Sequence, residues 1–113
     1  MSLTKQEVKH FKEEGYLVKS GIYSQADMLP LKNAINGIVE SESRRMKEEG
    51  VIEEIYEREG FETRLACIYE DNAKAGRSIC HAVMGKGGGG FSGPGIFEMI
   101  RHPGLVSCIS SLV

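Results

Sequence analysis

The sequence predicts a helix-rich α+β fold, and three observations lead to that class. Helix-capping signals open the chain, with a threonine and a glutamate three residues apart. Apolar side chains then recur every three or four residues between Met28 and Ile38, which is typical of one helix face. Two short apolar runs, Tyr16–Val18 and Ser78–Met84, have the length and composition of strands.

The first helix is predicted from its two ends. Thr4 is placed to cap it and Glu7 completes a capping box, so the helix should begin beside Thr4. Gly15 supplies the left-handed residue on which such a helix ends. The short strand Tyr16–Val18 is then expected to follow at once.

The second helix is predicted to begin near Ser24, which together with Asp27 resembles another helix start. Pro30 lacks a backbone N–H, so it favours a later start or a kink in the first turns. The apolar stripe of Met28–Ile38 passes into a strongly charged stretch, which predicts a solvated helix end towards Gly50.

The middle of the chain contains three short segments, each with its own predicted structure. Val51–Tyr56 is short and amphipathic, which indicates one or two further helical turns before Gly60. Phe61–Tyr69 is rich in aromatic and apolar residues, and its pattern fits both a strand and a helix. Ser78–Met84 is the second predicted strand.

A glycine-rich stretch, Gly85–Gly95, is predicted to be a flexible loop, because glycine loses too much backbone freedom in a helix or strand. It contains the letters of a dinucleotide-binding motif, but no helix begins directly after them and no acidic residue follows about 20 positions on. Lys86 is followed by Gly87 rather than Ser or Thr, which argues against a P-loop. Beyond the loop, helical spacing resumes and is interrupted at Pro103.

Composition narrows the classes of function. The chain has 113 residues, 14 basic and 16 acidic, with a formal net charge of -2, so it lacks the basic excess of a nucleic-acid-binding protein. No apolar run reaches the roughly 18 residues that a membrane span requires, and the polar start does not resemble a signal peptide. Three widely spaced cysteines without a secretion signal predict reduced thiols and a cytoplasmic location.

The last residues, Ile109–Val113, are apolar and carry no cap, glycine or polar tail. Domains usually end on residues that face water or satisfy the last helical carbonyls. The expectation is therefore that residues 1–113 form a single incomplete domain whose natural chain continues past Val113.

The opening residues carry a distinctive pattern, formed by Leu3-Thr4, Val8, Phe11 and Gly15-Tyr16-Leu17-Val18. This pattern resembles the start that is typical of the phytanoyl-CoA dioxygenase family. The helix start at Ser24 and Met28 is similar to that family as well, and so are the segments Phe61–Leu65 and Ile100–Val106. The resemblance runs in the right order over nearly the whole chain.

The resemblance implies an Fe(II)- and 2-oxoglutarate-dependent oxygenase built on a double-stranded β-helix, or jelly roll. Such enzymes hold iron with a His-x-Asp/Glu motif and a later His, and an Arg binds the cosubstrate. His10, His81 and His102 have no carboxylate two residues on, so no catalytic, cofactor-binding or metal-binding residue is assigned. The chain is expected to supply a helical N-terminal portion plus the first strands of an incomplete jelly roll. Fe(II) and 2-oxoglutarate are implied only for the complete enzyme.

Arg64 is the candidate substrate-binding residue, because its positive charge lies in a largely apolar stretch and suits an acidic group of a substrate. An ion pair with one of the many nearby glutamates is the alternative, and it is the favoured one. Cys67, Cys80 and His81 do not provide the four closely spaced ligands of structural zinc. His102, which precedes a proline, is interpreted as a helix end rather than a ligand.

Two functions follow from these observations. In the first, the chain is the N-terminal part of a phytanoyl-CoA-dioxygenase-like hydroxylase and is not catalytic by itself. Its partner is then the remainder of the oxygenase fold, or a second copy of the chain. In the second, the chain is a standalone helical module that docks a protein partner on the Met28–Ile38 stripe.

Overall fold

The computed structural model describes residues 2–85 and 93–113. Within these ranges the chain forms six α-helices that are joined by irregular segments. In chain order they are α1 Lys5–Glu14, α2 Gln25–Glu48, α3 Phe61–Asp71, α4 Ala73–Met84, α5 Pro94–Ile100 and α6 Pro103–Ser110. None of the described helices is both long and apolar enough to cross a membrane.

The predicted α+β class is wrong, because the described residues contain no strand and so no part of a jelly roll. Ser78–Met84, predicted as a strand, lies in α4, where Ala75 and Ile79 are buried four positions apart. A short apolar run cannot separate the two structures by its pattern alone, and here the helical repeat decides. Tyr16–Val18, the other predicted strand, is irregular, since no neighbouring strand is described that would complete a ladder.

The other two segments of the middle region are Phe61–Tyr69, which was open between strand and helix, and Val51–Tyr56, which was predicted to be helical. Phe61–Tyr69 is helical and forms most of α3. Val51–Tyr56, predicted as helical turns, is irregular. Tyr56 has a backbone φ of 53°, a left-handed conformation that is uncommon outside glycine and that no α-helix can contain.

The helix starts predicted at Thr4 and Ser24 are confirmed. The Glu7 N–H donates to Thr4 Oγ1 at 3.1 Å, and the Thr4 N–H donates back to Glu7 Oε1 at 2.9 Å. Ser24 and Asp27 form the same reciprocal capping box at the start of α2. Gly15 ends α1 with a φ of 82°, as its position predicts.

Pro30 lies inside α2, which begins at Gln25, so Pro30 does not delay the helix start. The missing proline N–H leaves the carbonyl of Ala26 without its helical donor. Ala26 is exposed, so that carbonyl is open to solvent, and the helix continues past Pro30. α2 therefore runs for 24 residues, and Gly50 follows it with a φ of 76°.

The hydrophobic core forms where the C-terminal half of α2 packs against α3, α4 and the segment between α2 and α3. Ile68 of α3 and Ile79 of α4 are its most deeply buried side chains. The other buried members are Val39, Met46, Ile52, Ile55 and Ala75. Full burial of one such aliphatic side chain stabilises a fold by about 1.5–3 kcal/mol.

A tight turn at Asn72 makes α3 and α4 a helical hairpin. Asn72 ends α3, and its side chain accepts the Ala75 N–H at 3.0 Å and so caps α4. Gly76 lies directly against Tyr69 of the neighbouring helix, because a Cβ built on Gly76 would be 2.7 Å from the Tyr69 Cα. The close approach of the two helices therefore requires glycine at this position.

The short helix α5 packs along the N-terminal half of α2. Gly95 is buried there, and a Cβ at this position would lie 3.1 Å from the Pro30 carbonyl oxygen. The Tyr23 hydroxyl donates to the Met99 carbonyl at 2.7 Å and joins the start of α2 to α5. The molecule is elongated: it extends 57 × 26 × 22 Å along its principal axes and has a radius of gyration of 18.2 Å. A compact domain of about 100 residues has a radius near 13 Å.

Two glycine substitutions test the hairpin contact. Gly76→Ala is expected to lower the free energy of unfolding by about 2 kcal/mol, because the added methyl group forces α3 and α4 apart. Gly37→Ala is the matched control in α2, where a Cβ would meet no atom within 4 Å. It is expected to raise the free energy of unfolding by about 0.5–1 kcal/mol through helix propensity. Urea unfolding of both variants measures this, and an equal response of the two would contradict the hairpin contact.

Candidate functional site

Arg64, the candidate substrate-binding residue, has a buried side chain that is 4% exposed. It projects from the first turn of α3 towards α2 and the segment that follows α2. Its Nε donates to the Ile55 carbonyl at 3.0 Å, and its Nη2 donates to Ser43 Oγ at 3.2 Å. Its Nη1 forms an ion pair with Glu40 Oε2 at 2.6 Å. One guanidinium therefore joins three parts of the chain.

The acceptors on α2 are arranged by the helix itself. Glu40 and Ser43 are three residues apart, so they lie on the same face of α2. The buried Ser43 hydroxyl donates to the Glu40 carbonyl at 3.1 Å, which leaves its oxygen lone pairs for Arg64. No buried side-chain nitrogen or oxygen of residues 2–85 and 93–113 lacks a hydrogen-bond partner.

Ion pairs continue from Arg64 outwards to the surface. Arg44 Nε donates to the second oxygen of Glu40, and Arg44 Nη2 donates to Glu57 Oε2 at 2.9 Å. Positive and negative charges thus alternate from the buried Arg64 to the exposed Glu57. A buried charge is tolerated when it is paired and its remaining groups are hydrogen-bonded, and both conditions hold here.

The same two arginines act on the acidity of Glu40. The hydrogen bond from Arg64, and after it the bond from Arg44, holds the pKa of the Glu40 carboxyl below its ordinary value of 4.5. Hydrogen bonds to the charged form of a carboxylate favour that form. Glu40 therefore stays ionised and keeps the buried Arg64 charge compensated in mildly acidic solution.

These contacts define what Arg64 can do in this chain. An ion pair with a glutamate is present, but its partner is Glu40, 24 positions before Arg64, and not one of the glutamates nearby in the sequence. A substrate carboxylate would have to displace Glu40 and reach a side chain that is almost entirely covered. The geometry supports a role for Arg64 in holding the helices together.

The three histidines lie on separate elements. His10 of α1 makes an edge contact with the Tyr16 ring, with 5.5 Å between the ring centroids. His81 is exposed on α4, and His102 separates α5 from α6. In the part of the chain that the structure describes, no three His, Cys, Asp or Glu side chains come together as a metal site. The iron that the family resemblance implies does not fit these residues.

The cysteines Cys67, Cys80 and Cys108 carry free thiols. Cys108 is buried, and the other two are half-buried. Burial raises the pKa of the Cys67 thiol, so that thiol is protonated at neutral pH.

His102 lies in a polar cluster that the sequence does not reveal. As the sequence predicts, His102 stands at a helix end: it follows α5 and is the N-terminal cap of α6. Its Nε2 lies 3.0 Å from Asp27 Oδ2, and its ring is 4.7 Å from the Tyr23 ring. Asp27 lies 75 positions and Tyr23 lies 79 positions before His102, so the letters around His102 reveal the helix end but not these partners.

The Met28–Ile38 stripe is half-buried within the chain itself. Leu31 and Ala34 face Gly95 of α5, and Ile35 packs against the hydrophobic core. The stripe is therefore used largely by internal contacts.

Large apolar residues are exposed in several parts of the chain, and on each of the two last helices two of them lie one turn apart. Phe97 and Ile100, one turn apart on α5, are 58% and 61% exposed. Val106 and Ile109, one turn apart on α6, are 47% and 50% exposed. We call these four residues the C-terminal apolar stripes. In each pair the two residues are three positions apart, a helical spacing that can be read from the sequence.

The predicted loop Gly85–Gly95 is described only at its two ends. Its last two residues, Pro94 and Gly95, belong to α5, so the loop is shorter than predicted. Lys86–Ser92 lie outside the described residues, and for them the loop stays a prediction.

Comparisons with known proteins add no relative. No family model matches the chain, and no curated protein or solved structure matches it either. The resemblance to phytanoyl-CoA dioxygenases therefore depends on the quoted residues alone and stays a prediction.

The lowered pKa of Glu40 predicts a pH dependence of stability. A carboxyl whose pKa is depressed by folding contributes stability above its unfolded pKa, and this contribution is lost as the pH falls through the folded pKa. The wild-type chain should therefore lose stability as the pH falls below about 4.5, and Glu40→Gln should lose less over the same window. Urea unfolding at a series of pH values measures both slopes.

Glu42→Gln is the matched control for this measurement. Glu42 lies two residues further along α2 and pairs with Arg45, so the Arg64–Glu40 bond remains. The slope of unfolding free energy against pH for Glu42→Gln should match that of the wild type. Parallel profiles for the wild type and Glu40→Gln would contradict the coupling.

Proposed function

We propose that this chain is the helical N-terminal part of a phytanoyl-CoA-dioxygenase-like, Fe(II)- and 2-oxoglutarate-dependent hydroxylase. Its role in this proposal is to brace an oxygenase unit from outside, without supplying an iron ligand. The pattern from Leu3 to Val18 supports the family. The exposure of the C-terminal apolar stripes is the observation that carries the bracing role.

Four large apolar side chains at helical spacing are costly to leave in water. Single exposed apolar residues are common on protein surfaces, but grouped ones mark interaction surfaces. Phe97 and Ile100 occupy one side of a short helix, and Val106 and Ile109 repeat the arrangement on the next. Burying such a surface against another protein unit gains about 25 cal/mol per Å² of apolar area.

The shape of the chain is consistent with a bracing element. Most of the fully buried apolar side chains belong to the cluster around Ile68 and Ile79, on the C-terminal half of α2. The helices α5 and α6 lie beyond that cluster and contribute only Cys108 to the buried apolar side chains of the described residues. Helices with so little core of their own gain most from a neighbour that covers their apolar side.

The alternative function, a standalone module that docks a partner on the Met28–Ile38 stripe, has less support. Leu31 and Ala34 of that stripe lie against Gly95, and Ile35 joins the core. A partner would have to displace α5 to reach them.

The coding sequence after residue 113 tests the proposal first. The expected result is an open frame that continues into a His-x-Asp/Glu motif and a later His. In the resulting longer protein, the double variant Phe97→Ser/Ile100→Ser should lower 2-oxoglutarate turnover by roughly 10-fold or more, because a misplaced site loses alignment. Succinate release measures this.

Glu98→Ser is the control on the same helix, since Glu98 is exposed and pairs only with Arg101 among the described residues. Its succinate release should match the unmodified protein. A stop codon directly after Val113, or equal turnover in the double variant and the control, would sink the proposal.

A further inference from the structure

His102 uses both of its ring nitrogens for contacts between elements. The Gly104 N–H donates to Nδ1 at 3.0 Å, which caps the first turn of α6. On the other side of the ring, Nε2 lies 3.0 Å from Asp27 Oδ2 at the start of α2. One imidazole therefore caps the start of α6 and also connects it to the start of α2.

These contacts fix the state of the ring. A nitrogen that accepts a backbone N–H carries no proton, so Nδ1 is the unprotonated nitrogen. Nε2 faces a carboxylate and therefore carries the proton. The neutral Nε2–H form of His102 satisfies both contacts at once.

The carboxylate of Asp27 is itself held in place. The Ser24 N–H donates to Asp27 Oδ2 at 2.8 Å. This backbone bond is the main reason that the pKa of Asp27 lies below its ordinary value, and the His102 contact acts in the same direction. Asp27 thus stays ionised in mildly acidic solution and keeps its hold on Nε2.

Three further residues lie near the His102 ring. Tyr23, just before α2, packs against the His102 ring at an interplanar angle of 54° and donates its hydroxyl to the Met99 carbonyl. Glu98 of α5 and Arg101, which directly follows α5, line the cleft beside His102 and pair with each other at 3.5 Å. With Asp27, the charged groups beside His102 in this cleft are two carboxylates and one guanidinium.

We propose that His102 is a pH-sensitive latch, in which protonation of the ring removes the cap of α6 while the ring stays on Asp27. A proton on Nδ1 places two donors, Nδ1–H and the Gly104 N–H, against each other. The cap is then lost, whereas the bond from Nε2 to Asp27 gains charge assistance. The first turn of α6 opens, and Val106, whose N–H donates to the His102 carbonyl at 3.0 Å, is released from its fixed position.

Amide exchange of Gly104, followed by NMR on the 113-residue chain from about pH 8 to about pH 5, tests the latch. After correction for the intrinsic pH dependence of exchange, the Gly104 amide should exchange roughly 5-fold to 10-fold faster once the ring is protonated. The change should follow the titration of the His102 ring protons. Constant Gly104 protection through that titration would overturn the latch.

Two variants separate the latch from general loosening of the chain. His102→Asn keeps a good helix cap that does not titrate, so its Gly104 amide should show no step. Asp27→Asn keeps an acceptor but removes the charge that favours protonation, so its step should move to lower pH. A wild-type step in His102→Asn, or an unmoved step in Asp27→Asn, would contradict the assignment. The inference is independent of the proposed hydroxylase function.

Discussion

Because Arg64 carries a full positive charge into the interior, two other parts of the chain must deliver three acceptors to it at once. α2 supplies Glu40 and Ser43 from one face, and the segment after α2 supplies the carbonyl of Ile55. Tyr56, the next residue in that segment, has a left-handed φ of 53°. Leaving such a charge unpaired costs several kcal/mol, so the arrangement of α2, α3 and their connection is tightly specified.

The hairpin of α3 and α4 extends this arrangement. Asn72 closes the turn, and Gly76 lets α4 approach Tyr69 closely enough for Ile68 and Ile79 to meet in the core. The C-terminal helices attach to α2 by different means. Gly95 packs closely against α2, and His102 and Tyr23 form polar contacts between the start of α2 and the last two helices. The C-terminal apolar stripes remain exposed. The chain therefore joins a well-packed group of helices to a second group that presents apolar surface.

The sequence predicted the parts of this fold that depend on local chemistry. The capping boxes at Thr4 and Ser24 and the glycine at position 15 act within a few residues of each other, so their letters suffice. The strands at Tyr16–Val18 and Ser78–Met84 were wrong, because strand or helix in a short apolar run is decided by the neighbours that cover it. An ion pair for Arg64 was predictable from the surrounding glutamates. Its partner was not, since Glu40 is 24 positions away and only the folded chain brings the two together.

The central claim is that Arg64 holds the core together, and its replacement by lysine tests this most directly. Arg64→Lys keeps the charge but cannot reach three acceptors from one planar group. The account predicts that its free energy of unfolding in urea falls by about 2 kcal/mol. Arg45→Lys, on the exposed pairs with Glu42 and Glu49, should change it by less than about 0.5 kcal/mol. Equal stability of Arg64→Lys and Arg45→Lys would contradict the account.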